Sequence, residues 1–348
     1  MKTIKLYPSG KEFPCDDGET VLSALEKNGL ALPNNCRAGA CGECKIRVKE
    51  GQIDQGFVLD MALPQSDREQ GYGLMCMAKP TSDLLEIEWG TEDAMPKLFP
   101  PRENVLCVVS EKVMATERIV KLRLRTVGKN LRFWPGQYVT LGNEDENIPA
   151  RCYSIANTPN SDGEIILLIT LLESGVTSTW VHEKLQEGDQ VKISGPYGTF
   201  IGNPNTEGPV LCLAAGSGLA PIISLASAAL LRGGFRDPAH ILFSARSKKD
   251  LLENGLLTYL NTKFRNFDYK YTLTQEKNEG GLEGRIPEIL PKLYTNLSEY
   301  SIYIAGSPEF VKDCSEKVKE LGAKEEAIYS EGFFDQFKAE APPQDRLL

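Results

Sequence analysis

The chain has 348 residues, 41% hydrophobic and 25% charged, with 39 Lys and Arg against 48 Asp and Glu for a net charge of −9. That length predicts two to three domains, each large enough for its own core. The acidic balance argues against nucleic acid, no run approaches the ~20 apolar residues of a membrane-spanning helix, and having only two histidines, His182 and His240, disfavours histidine-based hydrolytic and metal sites.

The first residues, Met1 to Pro8, lack the apolar stretch of a signal peptide and read as a strand, which points to a cytoplasmic protein. Thr3–Tyr7 and Lys11–Cys15 are predicted strands around Pro8-Ser9-Gly10. Thr20 is a predicted N-cap for a helix with Val21, Leu22, Leu25 and Leu30 on its apolar face, stopped by Pro33. Lys45–Lys49 alternates as a strand, residues 60–71 read as a helix, and Leu84–Trp89 closes the sheet. Residues 1–95 form one unit with ten Lys and Arg against sixteen Asp and Glu, −6 of the total charge. Such an acidic surface could steer a basic partner; a merely solvated acidic surface is the alternative.

Within this unit lies Cys36-Arg-Ala-Gly-Ala-Cys41-Gly-Glu-Cys44, and Cys76 follows after 31 intervening residues. This is the C-x4-C-x2-C…C spacing in which four thiolates hold the two irons of a [2Fe-2S] cluster. Small residues around the ligands, Ala38, Gly39, Ala40 and Gly42, let the backbone wrap closely and turn N–H groups to the sulfurs. Zinc and disulfides are the alternatives. Structural zinc prefers two separated C-x2-C pairs, and one is present. No C-x-H pair exists, which rules out a Rieske centre. The other cysteines, Cys15, Cys107, Cys152, Cys212 and Cys314, are scattered and read as buried thiols in a reducing compartment.

Residues 96–104, with Pro96, Pro100 and Pro101, read as a linker. Residues 105–206 are strand after strand (Val105–Val109, Ile119–Arg125, Tyr138–Leu141, Ile165–Leu171, Gln190–Ser194) with one helical insert at 176–186, and predict a small antiparallel barrel. From 207 to 338 strands and helices alternate: Pro209–Ala215, Pro221–Leu231, His240–Ala245, Leu251–Thr262, Tyr269–Thr274, Ser301–Ala305 and Phe310–Leu321. That alternation predicts a doubly wound parallel sheet. Residues 339–348 are a predicted frayed tail. The chain is thus expected to be multi-domain, α+β followed by α/β.

Three further stretches bear chemistry. Arg151-Cys152-Tyr153-Ser154 falls in the barrel, with Trp134-Pro135-Gly136-Gln137-Tyr138 before it and Gly175-Val176-Thr177-Ser178 after it. Leu213-Ala214-Ala215-Gly216-Ser217-Gly218-Leu219-Ala220-Pro221 follows a buried strand and opens a helix, the context in which a glycine loop cradles a nucleotide; a structural turn is the alternative. Ile304-Ala305-Gly306-Ser307-Pro308 follows from the Ser301–Ala305 strand, and Glu331-Gly332-Phe333 stands before the tail, where a core aromatic is the alternative.

These stretches, in this order, resemble the R-x-Y-S, P-G-Q-Y, G-x-x-S, G-[TS]-G-x-A-P, C-G-P and terminal E-x-F motifs of the ferredoxin–NADP reductase superfamily, and residues 1–95 resemble the β-grasp of plant-type ferredoxins. Together, over about residues 1–337, the chain is similar to the single-chain reductase components of bacterial multicomponent oxygenases. The resemblance implies a [2Fe-2S] cluster on Cys36, Cys41, Cys44 and Cys76. It implies FAD held by Arg151, Tyr153, Ser154, Gly175, Thr177, Ser178 and Phe333, with Thr170 where the family usually has Arg or Lys, a departure that also leaves FMN open. Ser154, near flavin N5, and Glu331 would be catalytic. Gly216, Ser217, Gly218 and Pro221 would hold the nicotinamide dinucleotide. Arg246, followed by Lys248 and Lys249, could receive a 2′-phosphate, yet the same pattern occurs in NADH-using relatives, and NADH is the expectation. Ala305 replaces the family's usual Cys.

The physical logic agrees with the resemblance. A nicotinamide gives two electrons as hydride, a [2Fe-2S] cluster carries one, and a flavin between them converts two to one. The expected path runs from NAD(P)H through FAD and the cluster to a terminal oxygenase or another one-electron acceptor protein. The alternatives are the reductase partner of a deoxysugar dehydratase and a non-catalytic ferredoxin-like binding module.

Overall fold

The computed structural model describes residues 1–30, 32–88, 98–203, 206–278 and 281–333. These divide into two compact units, one built on Met1–Pro101 and the other on Arg102–Pro196 and Phe200–Phe333. Part of the expected linker, residues 96 and 97, and the expected tail, 339–348, lie outside the described residues.

The first unit contains β1 (Lys2–Tyr7), β2 (Glu12–Cys15), α1 (Val21–Lys27), β3 (Lys45–Glu50), β4 (Ile53–Asp54), α2 (Gln65–Glu69), β5 (Tyr72–Leu74), β6 (Lys79–Pro80) and β7 (Leu84–Glu88). The sheet order is β2-β1-β7-β3-β5. β1 pairs in parallel with β7 and antiparallel with β2, and β3 is antiparallel to both β7 and β5. This is the β-grasp arrangement. α1 starts where expected: the Thr20 side chain accepts from Ser23 N–H at 3.3 Å, an N-cap contribution of about 1 kcal/mol. It buries Val21, Leu22, Ala24 and Leu25 against Ile4, Ile46, Leu85 and Ile87 of the sheet.

The helix expected at 60–71 is shorter than its polar pattern suggests. Ala62 and Leu63 N–H both turn back to Leu59 C=O, and Pro64 is extended at ψ 154°, so the helix is confined to Gln65–Glu69. The cause is Pro64, which disfavours helical backbone at the residue before it.

The second unit begins with β8 (Arg102–Met114), β9 (Ile119–Thr126), β10 (Tyr138–Asn143), β11 (Ile148–Ser154), β12 (Glu164–Thr170), α3 (Val176–Thr179) continued by a π-helical turn over Trp180–Lys184, and β13 (Gln190–Tyr197). The strand order is β11-β10-β13-β8-β9-β12. An antiparallel bridge from Ile155 to Leu167 joins the two ends of that order, which curls the sheet into a barrel with no open edge there. Val109, Leu122, Leu124, Leu141, Ile165, Leu167 and Ile193 fill it.

The rest of the unit runs β14 (Val210–Ala215), α4 (Leu219–Leu231), β15 (Ala239–Ala245), α5 (Asn254–Lys263), β16 (Phe267–Leu273), β17 (Leu282–Glu283), α6 (Ile286–Leu293), β18 (Ser301–Gly306), α7 (Pro308–Glu320) and β19 (Ile328–Gly332). Its sheet, ordered β17-β16-β15-β14-β18-β19, is parallel throughout. α4 and α5 pack on one face and α6 and α7 on the other, the doubly wound pattern. The order reverses between β14 and β18, and ligands of such sheets bind beyond the carboxyl ends of the strands at that point. Ile119, Ala156, Leu168 and Phe200 of the barrel share a core with Phe243, Leu257 and Tyr303 of the parallel-sheet domain, so barrel and sheet hold each other directly.

Candidate functional site

The cysteine loop is fixed from below by α1. Glu26, 7% exposed, accepts two hydrogen bonds from Arg37 (Nη1–Oε1 3.0 Å, Nη2–Oε2 2.7 Å) and one from Asn34 Nδ2 at 3.2 Å. This bidentate pair spans from the helix to the residue beside Cys36 and holds Arg37 at φ 51°. Gly39 sits at φ +67°, where a Cβ would lie 2.8 Å from Phe57 C=O, so both the turn and the close approach require glycine.

The four thiols lie as two pairs, Cys36 beside Cys41 and Cys44 beside Cys76. Among the described residues no three His, Cys, Asp or Glu side chains converge on one ion-sized point. Ala38 and Ala40 N–H donate to Cys36 Sγ at 3.4 and 3.3 Å. The hydrogen bond from Cys41 brings the Cys36 thiol down to about 6 against its burial. Cys44 is lowered in the same way by Cys76, while the donors Cys41 and Cys76 are raised. Two thiol pairs, with backbone N–H groups aimed at sulfur, fit the donor set of two irons with two terminal thiolates each. Among the described residues no cysteine is in a disulfide, and Cys15, Cys107, Cys212 and Cys314 are buried as expected, with Cys152 half-buried.

In the barrel, the Pro135-Gly136 turn leads into β10. Gly136 has φ +91°, and a Cβ there would stand 2.0 Å from Phe200 C=O. The adjacent β11 bears Arg151, Tyr153 and Ser154 in register with Leu141, Val139 and Tyr138. Arg151 and Tyr153 project to the same face, two residues apart. Thr177 donates to Pro149 C=O, tying the start of α3 to β11, and Ser178 Oγ accepts from Leu172 N–H while donating to Gly175 C=O. Both hydroxyls are therefore engaged within the protein, which shapes the Gly175 turn.

At the carboxyl end of the parallel sheet, β14 runs into Gly216-Ser217-Gly218. Gly216 lies at φ +55° with open space where a Cβ would be, so its backbone is accessible to a ligand. At Gly218 a Cβ would be 2.3 Å from Ala305 C=O, so this glycine lets the loop rest on β18. Pro221 is tolerated in the first turn of α4, where its missing N–H is not needed. A nucleotide-approachable glycine followed by a 13-residue helix fits a pyrophosphate.

Two side-chain bonds join barrel to sheet at this end. Ser154 Oγ donates to Glu331 Oε2 at 3.0 Å, and Thr170 Oγ1 donates to Ser217 Oγ at 3.0 Å. Glu331 is 4% exposed, and burial pushes its carboxyl up to about 8 against the Ser154 hydrogen bond. Phe333 N–H bonds Gly306 C=O at 2.8 Å, fixing the terminal aromatic beside the loop after β18. Residues from four separate sequence stretches thus meet here, whereas Arg246 stands exposed at the end of β15. The sequence did not single out Asn157, whose C=O receives Ser224 Oγ at 2.8 Å, or Glu276, whose carboxylate receives Lys248 N–H at 2.8 Å. No local spacing marks either residue.

A thiol-paired loop, a closed barrel and a glycine-loop sheet define an iron–sulfur flavoprotein oxidoreductase. Three family models agree: a 2Fe-2S iron-sulfur cluster binding domain over residues 4–81, an oxidoreductase FAD-binding domain over 106–201, and an oxidoreductase NAD-binding domain over 212–316. The chain is 30% identical over 333 residues to the ferredoxin–NAD(P)+ reductase component of the naphthalene 1,2-dioxygenase system of Pseudomonas putida, covering 95% of this chain and 98% of that one. It is 32% identical over 281 residues to the phenol 2-monooxygenase reductase component DmpP of Pseudomonas sp. strain CF600, covering 81% and 78%. The crystal structure of the Amycolatopsis cytochrome P450 reductase GcoB matches with a TM-score of 0.87 at 27% identity, covering 97% of this chain and 100% of that one.

The chain belongs to the family of NAD(P)H-dependent ferredoxin reductase components of multicomponent oxygenases. It is an oxidoreductase whose cofactors are a [2Fe-2S] cluster and FAD, with NAD(P)H as the electron donor. The flavin, when bound, accepts hydride and releases single electrons; the chain's residues supply binding, orientation and the surrounding charge. Among the described residues no helix is long and apolar enough to cross a membrane.

Proposed function

We propose that this chain takes hydride from NADH and delivers single electrons to a terminal oxygenase component. The observation that supports this reading best is the pair of bonds, Ser154–Glu331 (buried) and Thr170–Ser217 (part-buried), that ties two strands of the barrel, one of them the flavin-motif strand, to the carboxyl end of the nucleotide sheet. Hydride transfer needs two reactants held in one geometry, and a barrel locked to a glycine loop supplies that. Ser154 and Glu331 border the reacting atoms. Arg151, Tyr153, Gly175, Thr177, Ser178 and Phe333 shape the flavin site, and Gly216, Ser217, Gly218 and Pro221 the nucleotide site, with Thr170 between the two. Cys36, Cys41, Cys44 and Cys76 hold the cluster, and the acidic domain bearing it faces the acceptor. The corresponding domain limits are 1–95, 105–206 and 207–338. The relatives named above serve dioxygenase and monooxygenase systems, which supports an oxygenase as acceptor.

Anaerobic titration of the holoprotein with NADH, followed by visible absorption and low-temperature EPR, tests this. The expected result is bleaching of flavin and iron–sulfur bands together with a one-electron cluster signal. Flavin reduction with a silent cluster would overturn the electron order.

A further inference from the structure

We propose that Glu276, with Asp250, makes this reductase discriminate against NADPH. The inference rests on reading the Gly216 loop as the dinucleotide site. Ala215 pairs with Ser244 as the last pair of the β14–β15 register, so the segment Arg246-Ser247-Lys248 leaves the carboxyl end of the strand next to the one that runs into Gly216-Ser217-Gly218. In parallel sheets of this kind the segment after the second strand meets the adenosine ribose, where an acidic residue accepts the 2′-hydroxyl or a basic residue accepts a 2′-phosphate. Arg246 and Lys248 suggest the second. The hydrogen bonds point to the first.

A 2′-phosphate needs donors, and the backbone N–H groups of Ser247 and Lys248 are already taken by carboxylates. Ser247 N–H donates to Asp250 Oδ2 at 3.0 Å and Ser247 Oγ donates to the same oxygen at 2.7 Å. Lys248 N–H donates to Glu276 Oε2 at 2.8 Å. Glu276 is held there by the loop after β16, which keeps pairing alongside: Thr274 N–H bonds Ala245 C=O at 3.0 Å, and Gln275 N–H bonds Arg246 C=O at 2.9 Å. Two carboxylates therefore occupy two adjacent amides of this segment, and they repel the charge of a phosphate placed there. Arg246, Lys248 and Lys249 are exposed, so their attraction is screened by water and salt. A carboxylate that accepts one backbone N–H keeps acceptor capacity for a ribose hydroxyl. The arrangement admits NADH and penalises the phosphate, a specificity built partly on repulsion.

The test is steady-state ferricyanide reduction by the holoprotein with NADH and NADPH, comparing the wild type, Glu276→Gln and Glu276→Asp. The amide in Glu276→Gln still accepts the Lys248 N–H and removes only the charge. The expected wild-type preference for NADH is about tenfold or more in kcat/KM, falling about fivefold in Glu276→Gln through KM for NADPH, as for removal of one repulsive charge. Glu276→Asp restores the preference, which a merely structural role would not do. Inhibition by adenosine 2′,5′-bisphosphate relative to AMP should strengthen in parallel. An unchanged NADH-to-NADPH ratio in Glu276→Gln, or a wild type that prefers NADPH, overturns the inference and leaves the dinucleotide site standing. Failure of both nucleotides to reduce the wild-type flavin overturns that site reading and the inference with it.

Discussion

Ser154 and Glu331, 177 residues apart, share a buried hydrogen bond of 3.0 Å that joins the flavin-motif strand to the last strand of the nucleotide sheet. Neither residue is notable by itself. Together they put a hydroxyl and a carboxyl, both out of water, where barrel and sheet meet. Burial favours the neutral acid, so Glu331 keeps its proton to higher pH than an exposed glutamate, and while protonated it can donate as well as accept.

That protonation has a stability consequence of definite sign. Burial pushes the carboxyl up to about 8 in the fold, from the ordinary glutamate value of 4.5 when unfolded. Between those values the native state binds the extra proton, so stability is complete below pH 4.5 and declines until pH passes about 8. The slope is at most about 1.4 kcal/mol per pH unit. Glu331→Gln cannot titrate. Melting temperatures of wild type and Glu331→Gln, measured from pH 5 to 9 (roughly the titration window), should diverge as pH rises, with the variant losing less. Parallel curves would show that Glu331 is ionised throughout.

Glu26 and Arg37 make the cluster loop depend on α1. Removing one partner of a mostly buried pair leaves an uncompensated charge and costs roughly 3 kcal/mol. Glu26→Ala should therefore lower iron and iron–sulfur absorbance per protein while flavin content holds. Arg37→Lys, which keeps the charge but loses the two-pronged contact, should fall between. Full cluster content in Glu26→Ala would mean that the loop is set by Gly39 and Gly42 alone.

Cys41→Ser separates the two halves of the electron path. The variant should lose the cluster and cytochrome c reduction but keep flavin-dependent ferricyanide reduction. Cytochrome c activity at the wild-type level would place the exit of electrons at the flavin.

Much of the architecture was legible because it rests on local chemistry. Thr20 caps α1, the apolar run up to Ala215 becomes a central parallel strand, and the cysteine spacing survives as two thiol pairs. What was hidden depends on long-range contact or on a local conflict. Residues 60–71 have a helical polar pattern that Pro64 interrupts. α6 was missed because Pro287 and Pro291 lie within it, although Ile286, Ile289 and Leu290 are buried on one face. β19 could not be distinguished as a strand, since Ile328–Gly332 is short and draws its place from pairing with β18. Thr170 looked in sequence like a missing positive charge. In the fold it has a partner of its own, Ser217, which no spacing rule connects to it.

The Thr170–Ser217 bond yields the sharpest test of how the glycine loop is positioned. Thr170 sits at the end of β12 and Ser217 in the loop, so the bond fixes the loop against the barrel. Thr170→Val keeps the shape and removes the donor, at a cost of about 1 kcal/mol, or roughly a fivefold loss. That loss should fall on NADH-dependent flavin reduction in stopped flow, leaving bound FAD per protein unchanged. Thr170→Ser keeps the hydroxyl and should retain most of the rate. In a double-mutant cycle, Ser217→Ala combined with Thr170→Val should cost little more than either alone, because each single change already breaks the same bond. Additive losses would mean that the two hydroxyls act separately, with Thr170 serving the flavin and Ser217 the nucleotide.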